Sequence, residues 1–248
     1  MKITQLHTTK RTQGFTLIEL LVVISIIAIL AGLGLRAFPA AIKKARLTES
    51  TSNAKQILLT VKLFASDNDG AYPSETVSLD GGVTPGTPLA AGTFSNKAFD
   101  NLIFSGKYPI GKGFFINKNS KYCKSAPPDT TAVQAKTVNK GQCDWMYIAG
   151  LSDASPGTWP LITTATKSAS DLTYTNDKSA LGGVWEGTDA IVGFCDGSAR
   201  PVSEKEMDQS NKSATFLKSP INGANMLIGT ADWLGTGAIV LAPEPSGN

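Results

Sequence analysis

Histidine is all but missing: the 248-residue chain holds one, His7. With no other imidazole, residues 8–248 cannot build a Ser-His or Cys-His catalytic pair, or a zinc site that uses histidine. Cysteine is scarce too. Cys123, Cys143 and Cys195 are the whole complement, and they do not make the paired CxxC sets of a structural zinc site. Net positive charge is also slight. The formal charge is +3, and the first 14 residues supply all of it through Lys2, Lys10 and Arg11 with no acid. Beyond them, 20 basic groups face 20 acidic ones. A neutral chain offers no basic nucleic-acid-binding surface on charge grounds, so no nucleic acid is expected as a partner. No tight acidic motif suggests a paired-carboxylate enzyme. The expectation is a protein that is not an enzyme, with no catalytic residues, metal or cofactor.

What is present in excess is one apolar run. Residues 10–35 read KRTQG followed by FTLIELLVVISIIAILAGLGL: a basic, polar leader meets a long hydrophobic stretch at Gly14, and Glu19 lies five residues further on. An ordinary secretory signal has an apolar core of roughly 7–15 residues followed by its small-residue cleavage site, so cleavage removes the core. Here the small residue precedes the apolar run. Residues 15–35 number 21, and a bilayer core of ~30 Å takes about 20 helical residues. An acid at a helix centre costs about 2.5–3.5 kcal/mol to insert. Glu19 lies near one end, so it either has a partner or snorkels to the headgroups as part of a plain signal anchor. Lys43, Lys44 and Arg46 follow the run closely, so flanking charge does not fix orientation.

GFTLIELLVVISIIAILA resembles the N-terminal signature of type IV pilins and type II secretion pseudopilins, the class III signal cut by prepilin peptidase. The resemblance covers about the first quarter of the chain. It implies cleavage between Gly14 and Phe15 on the cytoplasmic face, N-methylation of Phe15, and retention of the apolar helix. It further implies that Glu19 pairs with the new amino group of Phe15 on a neighbouring subunit during assembly. The partners it implies are prepilin peptidase, identical or related pilin subunits, an assembly platform and ATPase, and the bacterial inner membrane, crossed once with the head in the periplasm. The filament would stand in the periplasm or at the cell surface. The expected organisation is a leader over 1–14, a transmembrane and filament-core helix over 15–35, an amphipathic continuation over 36–67, and a β-rich head over 68–248.

In the continuation, Leu47, Ala54, Ile57, Leu58, Val61, Phe64 and Ala65 recur at intervals of three and four, as a half-buried helix requires. Gly32, Gly34 and Pro39 sit at the junction and predict a kink or a locally melted turn. The helix is expected to stop near SDNDGAYPS, residues 66–74, where Gly70 offers a left-handed stop and Pro73 cannot continue it. Phe64, Ala65, Asp67, Asn68, Gly70, Tyr72 and Pro73 resemble the helix-exit signature of G-type pseudopilin-like proteins. The alternative reading is a calcium loop built on Asp67 and Asp69.

Residues 77–96 read as a long connecting loop, and residues 98–106 as a short helix. Strands are expected at GFFI (113–116), DWMYIAG (144–150), PLITT (160–164), AIVGFC (190–195), ARPVS (199–203) and GAIVLA (237–242). Asp196-Gly197 predicts a tight hairpin with positive φ at both central residues, a reading preferred to Asp196 as an acid catalyst. The second half also resembles G-type pseudopilin-like proteins, except that Ser198 and Glu186 stand where relatives often carry histidine. The fold class is therefore α+β and pilin-like: a long N-terminal helix, transmembrane then amphipathic, packed on an antiparallel β-sheet.

Outside the cytoplasm disulfides persist. Cys123 and Cys143 are expected to be bridged, closing a loop of about 20 residues worth roughly 3 kcal/mol, which leaves Cys195 as a buried thiol. Trp145, Trp159, Trp185 and Trp233 are either core residues or an aromatic platform. The expected function is a structural subunit of a type II secretion pseudopilus or a type IV pilus-like filament; the alternative is a minor pilin acting as an adhesin or ligand-binding tip. A small residue before the scissile bond leaves room for the peptidase backbone, so Gly14→Val should accumulate as uncleaved precursor on a denaturing gel. Normal processing of that variant would contradict the class III reading.

Overall fold

The computed structural model describes residues 14–77, 88–90, 92–124, 129–206 and 238–245, with the side chains of 33–37, 124 and 204 not described. The leader residues 1–13, most of the expected loop at 78–91, and Trp233 lie outside the described residues. The chain forms two compact units, Met1–Ala45 and Arg46–Asn248.

In the first unit the long helix α1, Leu17–Ser66, begins. Each described side chain from 14 to 32 is exposed, so this apolar run is not buried among the described residues of its own unit. Among the described residues no helix is long and apolar enough to cross a membrane; the apolar run whose side chains are described ends at Gly32. Helical backbone continues through Gly32, Gly34 and Pro39, so the expected melted turn is not present. Pro39 forfeits a single backbone bond, while the residues around it can keep theirs.

In the second unit, the α1 residues from Arg46 onward pack on a five-stranded antiparallel sheet ordered β4-β3-β2-β1-β5. The strands are β1 (Trp145–Ala149), β2 (Pro160–Thr164), β3 (Asp189–Phe194), β4 (Ala199–Ser203) and β5 (Ile239–Leu241). Ala54, Ile57, Leu58, Val61 and Ala65 of α1 are buried in one cluster with the strand residues, as their spacing requires. Gly193 on β3 sets how close the helix comes. A Cβ there would lie 2.6 Å from Leu58 Cδ1 and 2.8 Å from Ile162 Cγ1, so the missing side chain is the space that Leu58 fills. Phe64 is half-buried, its ring 6.0 Å from that of Tyr108. Helix α2, Ser95–Ile103, adds Phe99 to the core, with ring centroids 4.7 Å from Phe115 and 5.7 Å from Tyr147.

Every residue of β1 and β2 is buried, whereas a helix against one face would bury alternate residues only. The other face is covered in part by the loop after β2. Leu172 and Tyr174 are buried, and Thr166 donates through its N–H and hydroxyl to Met146 Sδ at 3.3 and 3.1 Å. The expected strand at 113–116 is instead a 3₁₀ turn, Lys112–Phe115. Its ladder is a single bond, Asp144 N–H to the Phe115 carbonyl at 2.9 Å, too little to hold a strand. The 195–197 hairpin also differs from expectation. Gly197 alone has positive φ, at 89°, and its N–H bonds to the Phe194 carbonyl at 2.9 Å. This is the three-residue loop with a left-handed glycine in third place, and the Asp196 carboxylate accepts the Ser198 N–H at 2.7 Å to brace it.

The helix exit follows the cap reading. Gly70, at φ 81°, donates to the Ala65 carbonyl at 2.9 Å, and Asn68 Nδ2 donates to the Phe64 carbonyl at 2.7 Å. Tyr72 and Tyr147 stitch the chain beyond to the sheet, Tyr72 OH to the Cys195 carbonyl at 3.3 Å and Tyr147 OH to the Pro73 carbonyl at 2.9 Å. The helix-to-sheet seam can be tested at its tightest point. Gly193→Val should destabilise the head by about 1–3 kcal/mol in denaturant unfolding, because a close-packed core resists added volume, and Leu58→Ala in the same chain should return part of that loss. Equal stability of Gly193→Val and wild type would mean that the helix does not pack at this depth.

Candidate functional site

The described N-terminal segment is open. Among the described residues nothing lies within 4 Å of the position a Cβ would take at Gly14, and Phe15 is 79% exposed. Helix α1 opens at Leu17, so Gly14, Phe15 and Thr16 are non-helical. Thr16 occupies the N-cap position: its N–H and hydroxyl donate to Glu19 Oε2 at 2.9 and 2.7 Å, and Glu19 N–H returns to Thr16 Oγ1 at 3.3 Å. This is the reciprocal capping box, in which a Thr and a Glu three residues later satisfy each other's orphan donors. The Thr-Leu-Ile-Glu pattern announces it, and the sequence reading overlooked it. Both Thr16 donors converge on one carboxylate oxygen of Glu19.

The head carries its polar work in buried clusters. Asp144, fully enclosed, accepts the Asn117 N–H and the Ser120 hydroxyl, each at 2.8 Å. Burial pushes its carboxyl up to about 6 against the pull of those bonds and of the Cys123 thiol. Asp100 on α2 accepts the Val138 N–H at 2.6 Å and lies 3.8 Å from Lys97; burial likewise pushes it up to about 6. Lys112 reaches inward to Asp129 Oδ2 at 2.6 Å, Gln142 Oε1 at 3.3 Å and the Gln134 carbonyl. Asp129 also accepts from Asn139 and Gln142 at 2.7 and 3.0 Å. This ammonium gathers a segment that has little apolar content of its own.

The C-terminal strand is held by side chains that no local pattern announces. Asn96 Oδ1 accepts the Glu244 N–H at 2.8 Å while its amide donates to the Val138 and Asn139 carbonyls at 3.1 and 2.9 Å. Tyr122 OH donates to the Glu244 carbonyl at 2.9 Å.

Cys123 and Cys143, expected to be bridged, are free thiols, as is Cys195. Cys123 and Cys143 share the neighbourhood of Asp144 and act on each other electrostatically, each with further partners. Cys123, on the short helix α3 (Lys121–Lys124), faces Asp144 and Ser120. Cys143 lies 4.0 Å from Ser95 Oγ and 3.4 Å from the Trp145 carbonyl. Burial pushes all three thiols up, Cys195 to about 12. Asp67 is engaged by Lys107 Nζ and Tyr108 OH, both at 3.0 Å, and these hold its carboxyl below its usual value. Among the described residues no group of three His, Cys, Asp or Glu side chains is placed to hold a metal ion. Trp145 and Trp185 are core residues and Trp159 is half-buried, so these tryptophans do not form an exposed platform.

Comparison with known proteins agrees with the N-terminal geometry. Residues 9–35 match the family described as the prokaryotic N-terminal methylation motif. The chain is 28% identical over 151 residues to fimbrial protein EcpB of Eikenella corrodens, an alignment covering 58% of this chain and 90% of that protein. No solved structure matches.

Because the described thiols are unbridged and poorly ionised, the purified chain should show three titratable thiols in denaturant without reductant, and slow labelling of all three when folded. A count of one in denaturant would establish a bridge.

Proposed function

We propose that this chain, a type IV pilin-like protein with a class III signal, is a structural subunit of a type II secretion pseudopilus or a type IV pilus-like filament. Its N-terminal motif implies processing by prepilin peptidase and assembly with other pilins, a structural role and not an enzymatic one. Within that class, cleavage falls between Gly14 and Phe15, and Phe15 is then N-methylated. Residues 15–35 cross the inner membrane once and later enter the filament core, with the head outside the cytoplasm. An assembly platform and its ATPase drive the extraction. The helix-exit signature and the hairpin of β3 and β4 favour the pseudopilin end of the class, while the fimbrial relative keeps a pilus within reach. The adhesin alternative has lost its main support, since Trp145 and Trp185 are in the core.

The observation that carries this reading is the open, non-helical Gly14-Phe15 pair beside a capping box that holds the Glu19 carboxylate by one oxygen. The other oxygen is left for the amino group of an adjacent Phe15. A carboxylate among apolar side chains needs such a partner. Glu19→Leu should therefore insert and be cleaved at least as well as wild type, since it removes a charge from the bilayer, but should fail to enter filaments in co-expression with wild-type subunits. Sheared filaments analysed by immunoblot would show it, and normal incorporation would exclude the pairing.

A further inference from the structure

Residues 117–120 connect two features that are otherwise separate. On their inner side they are fixed to Asp144, through Asn117 N–H and Ser120 Oγ. On their outer side they hold α1: Arg46 Nη1 donates to Asn119 Oδ1 at 2.7 Å, and Lys118 Nζ lies 2.5 Å from Glu49 Oε1. Asn119 Nδ2 donates in turn to the Val184 carbonyl at 2.5 Å, and Ser120 Oγ accepts the Cys123 N–H at 3.2 Å. The Lys118–Glu49 pair is largely exposed and contributes little. The Arg46–Asn119 bond is partly buried, and it is the firmer grip.

We propose that residues 117–120 form a collar that grips α1 at Arg46 and Glu49, and that protonation of Asp144 tightens the collar's seat in the head. The groups that face the Asp144 carboxylate are a backbone N–H, the Ser120 hydroxyl and the Cys123 thiol, with no cation acting on it among the described residues. Its sequence neighbour Cys143 is itself a buried thiol. A buried carboxylate without a counter-charge favours its neutral form, and Ser120 can serve either form, since a hydroxyl both donates and accepts. The charged groups of the collar, Arg46, Glu49 and Lys118, bear on its outer side.

Linkage fixes the direction. Seated, the Asp144 carboxyl is raised from 3.8 to about 6; unseated and hydrated, it returns to its ordinary value. Protons therefore bind more tightly to the seated form. The seat is firmest below about pH 4, weakens as pH rises through the window to about 6, and changes little above that. Asp100, raised in the same sense and facing Lys97, Lys112 and Glu244, adds a parallel dependence at Val138, away from the collar. The device needs no filament and stands independently of the proposed function.

Hydrogen exchange by mass spectrometry, on the full chain in detergent and corrected for the intrinsic pH dependence of exchange, reads the collar directly. Protection of residues 117–123 should fall by about tenfold or more between pH 4.5 and 7.5 and should be nearly flat in Asp144→Asn, while the β3 and β4 hairpin is unchanged in both. A pH-independent collar in wild type, or the same dependence in Asp144→Asn, would overturn the proton-sensitive seat. Asn119→Ala, a substitution away from the core, should lower protection of residues 46–50 and leave 137–142 unaffected. If 46–50 keep wild-type protection, the collar does not grip the helix. If Asp144→Asn fails to fold, the wild-type pH series and Asn119→Ala still decide both halves of the proposal.

Discussion

The head depends on one seam, the contact of Leu58 with the floor that Gly193 leaves open. An amphipathic helix of this length is not stable by propensity alone; most of its stability in a protein comes from the apolar face it buries. Ile57, Leu58 and Val61 are fully buried, and side chains of this size contribute about 1.5–3 kcal/mol each when taken out of water. A residue larger than glycine on β3 would lift the helix, and the Tyr72 and Tyr147 stitches at its exit would then have to follow.

Around that seam the chain makes long excursions with few apolar residues, and buried polar side chains hold them. Asn96, Asp100, Asp144 and Lys112 each satisfy backbone or side-chain groups from segments far away in sequence. The pattern follows from the requirement that enclosed polar groups be paired. Lys112 supplies the charge-assisted bonds of the 129–142 segment, Asn96 ties the C-terminal strand to α2, and Asp144 seats the loop that meets α1. Two of these anchors are carboxylates raised by burial. The seats of residues 117–120 and of Val138 are therefore linked to proton binding in the mildly acidic range.

At the other end of the molecule the physics is that of exposure. The apolar residues from Leu17 to Gly32 are exposed among the described residues, and a contiguous exposed apolar surface of this kind marks an interaction surface. The single acid in that run has a local solution in the capping box with Thr16. A carboxylate held this way keeps a defined orientation at the start of the helix.

Sequence alone determined the parts whose cause is local. The apolar run, the glycine before it, the periodicity of Ile57, Leu58 and Val61, and the bounds of β2 and β4 are all one-dimensional patterns, each set by residues within a turn or a strand of one another. The capping box is equally local, a Thr and a Glu three residues apart. The tertiary structure alone decided what rests on distant partners. Residues 113–116 lack strand pairing because, among the described residues, one backbone bond, from the Asp144 N–H, joins them to the chain leading into β1. β1 and β2 are buried at every position because the loop carrying Leu172 and Tyr174 folds back over the second face. The last strand crosses to the far edge of the sheet, where Asn96 receives Glu244 from 148 residues away. Chain closure over such distances leaves no periodic trace, since the residues that meet are chosen by three-dimensional packing and not by their spacing. For the same reason, scarcity and loop length suggested a bridge between Cys123 and Cys143, while the structure buries them near each other as free thiols.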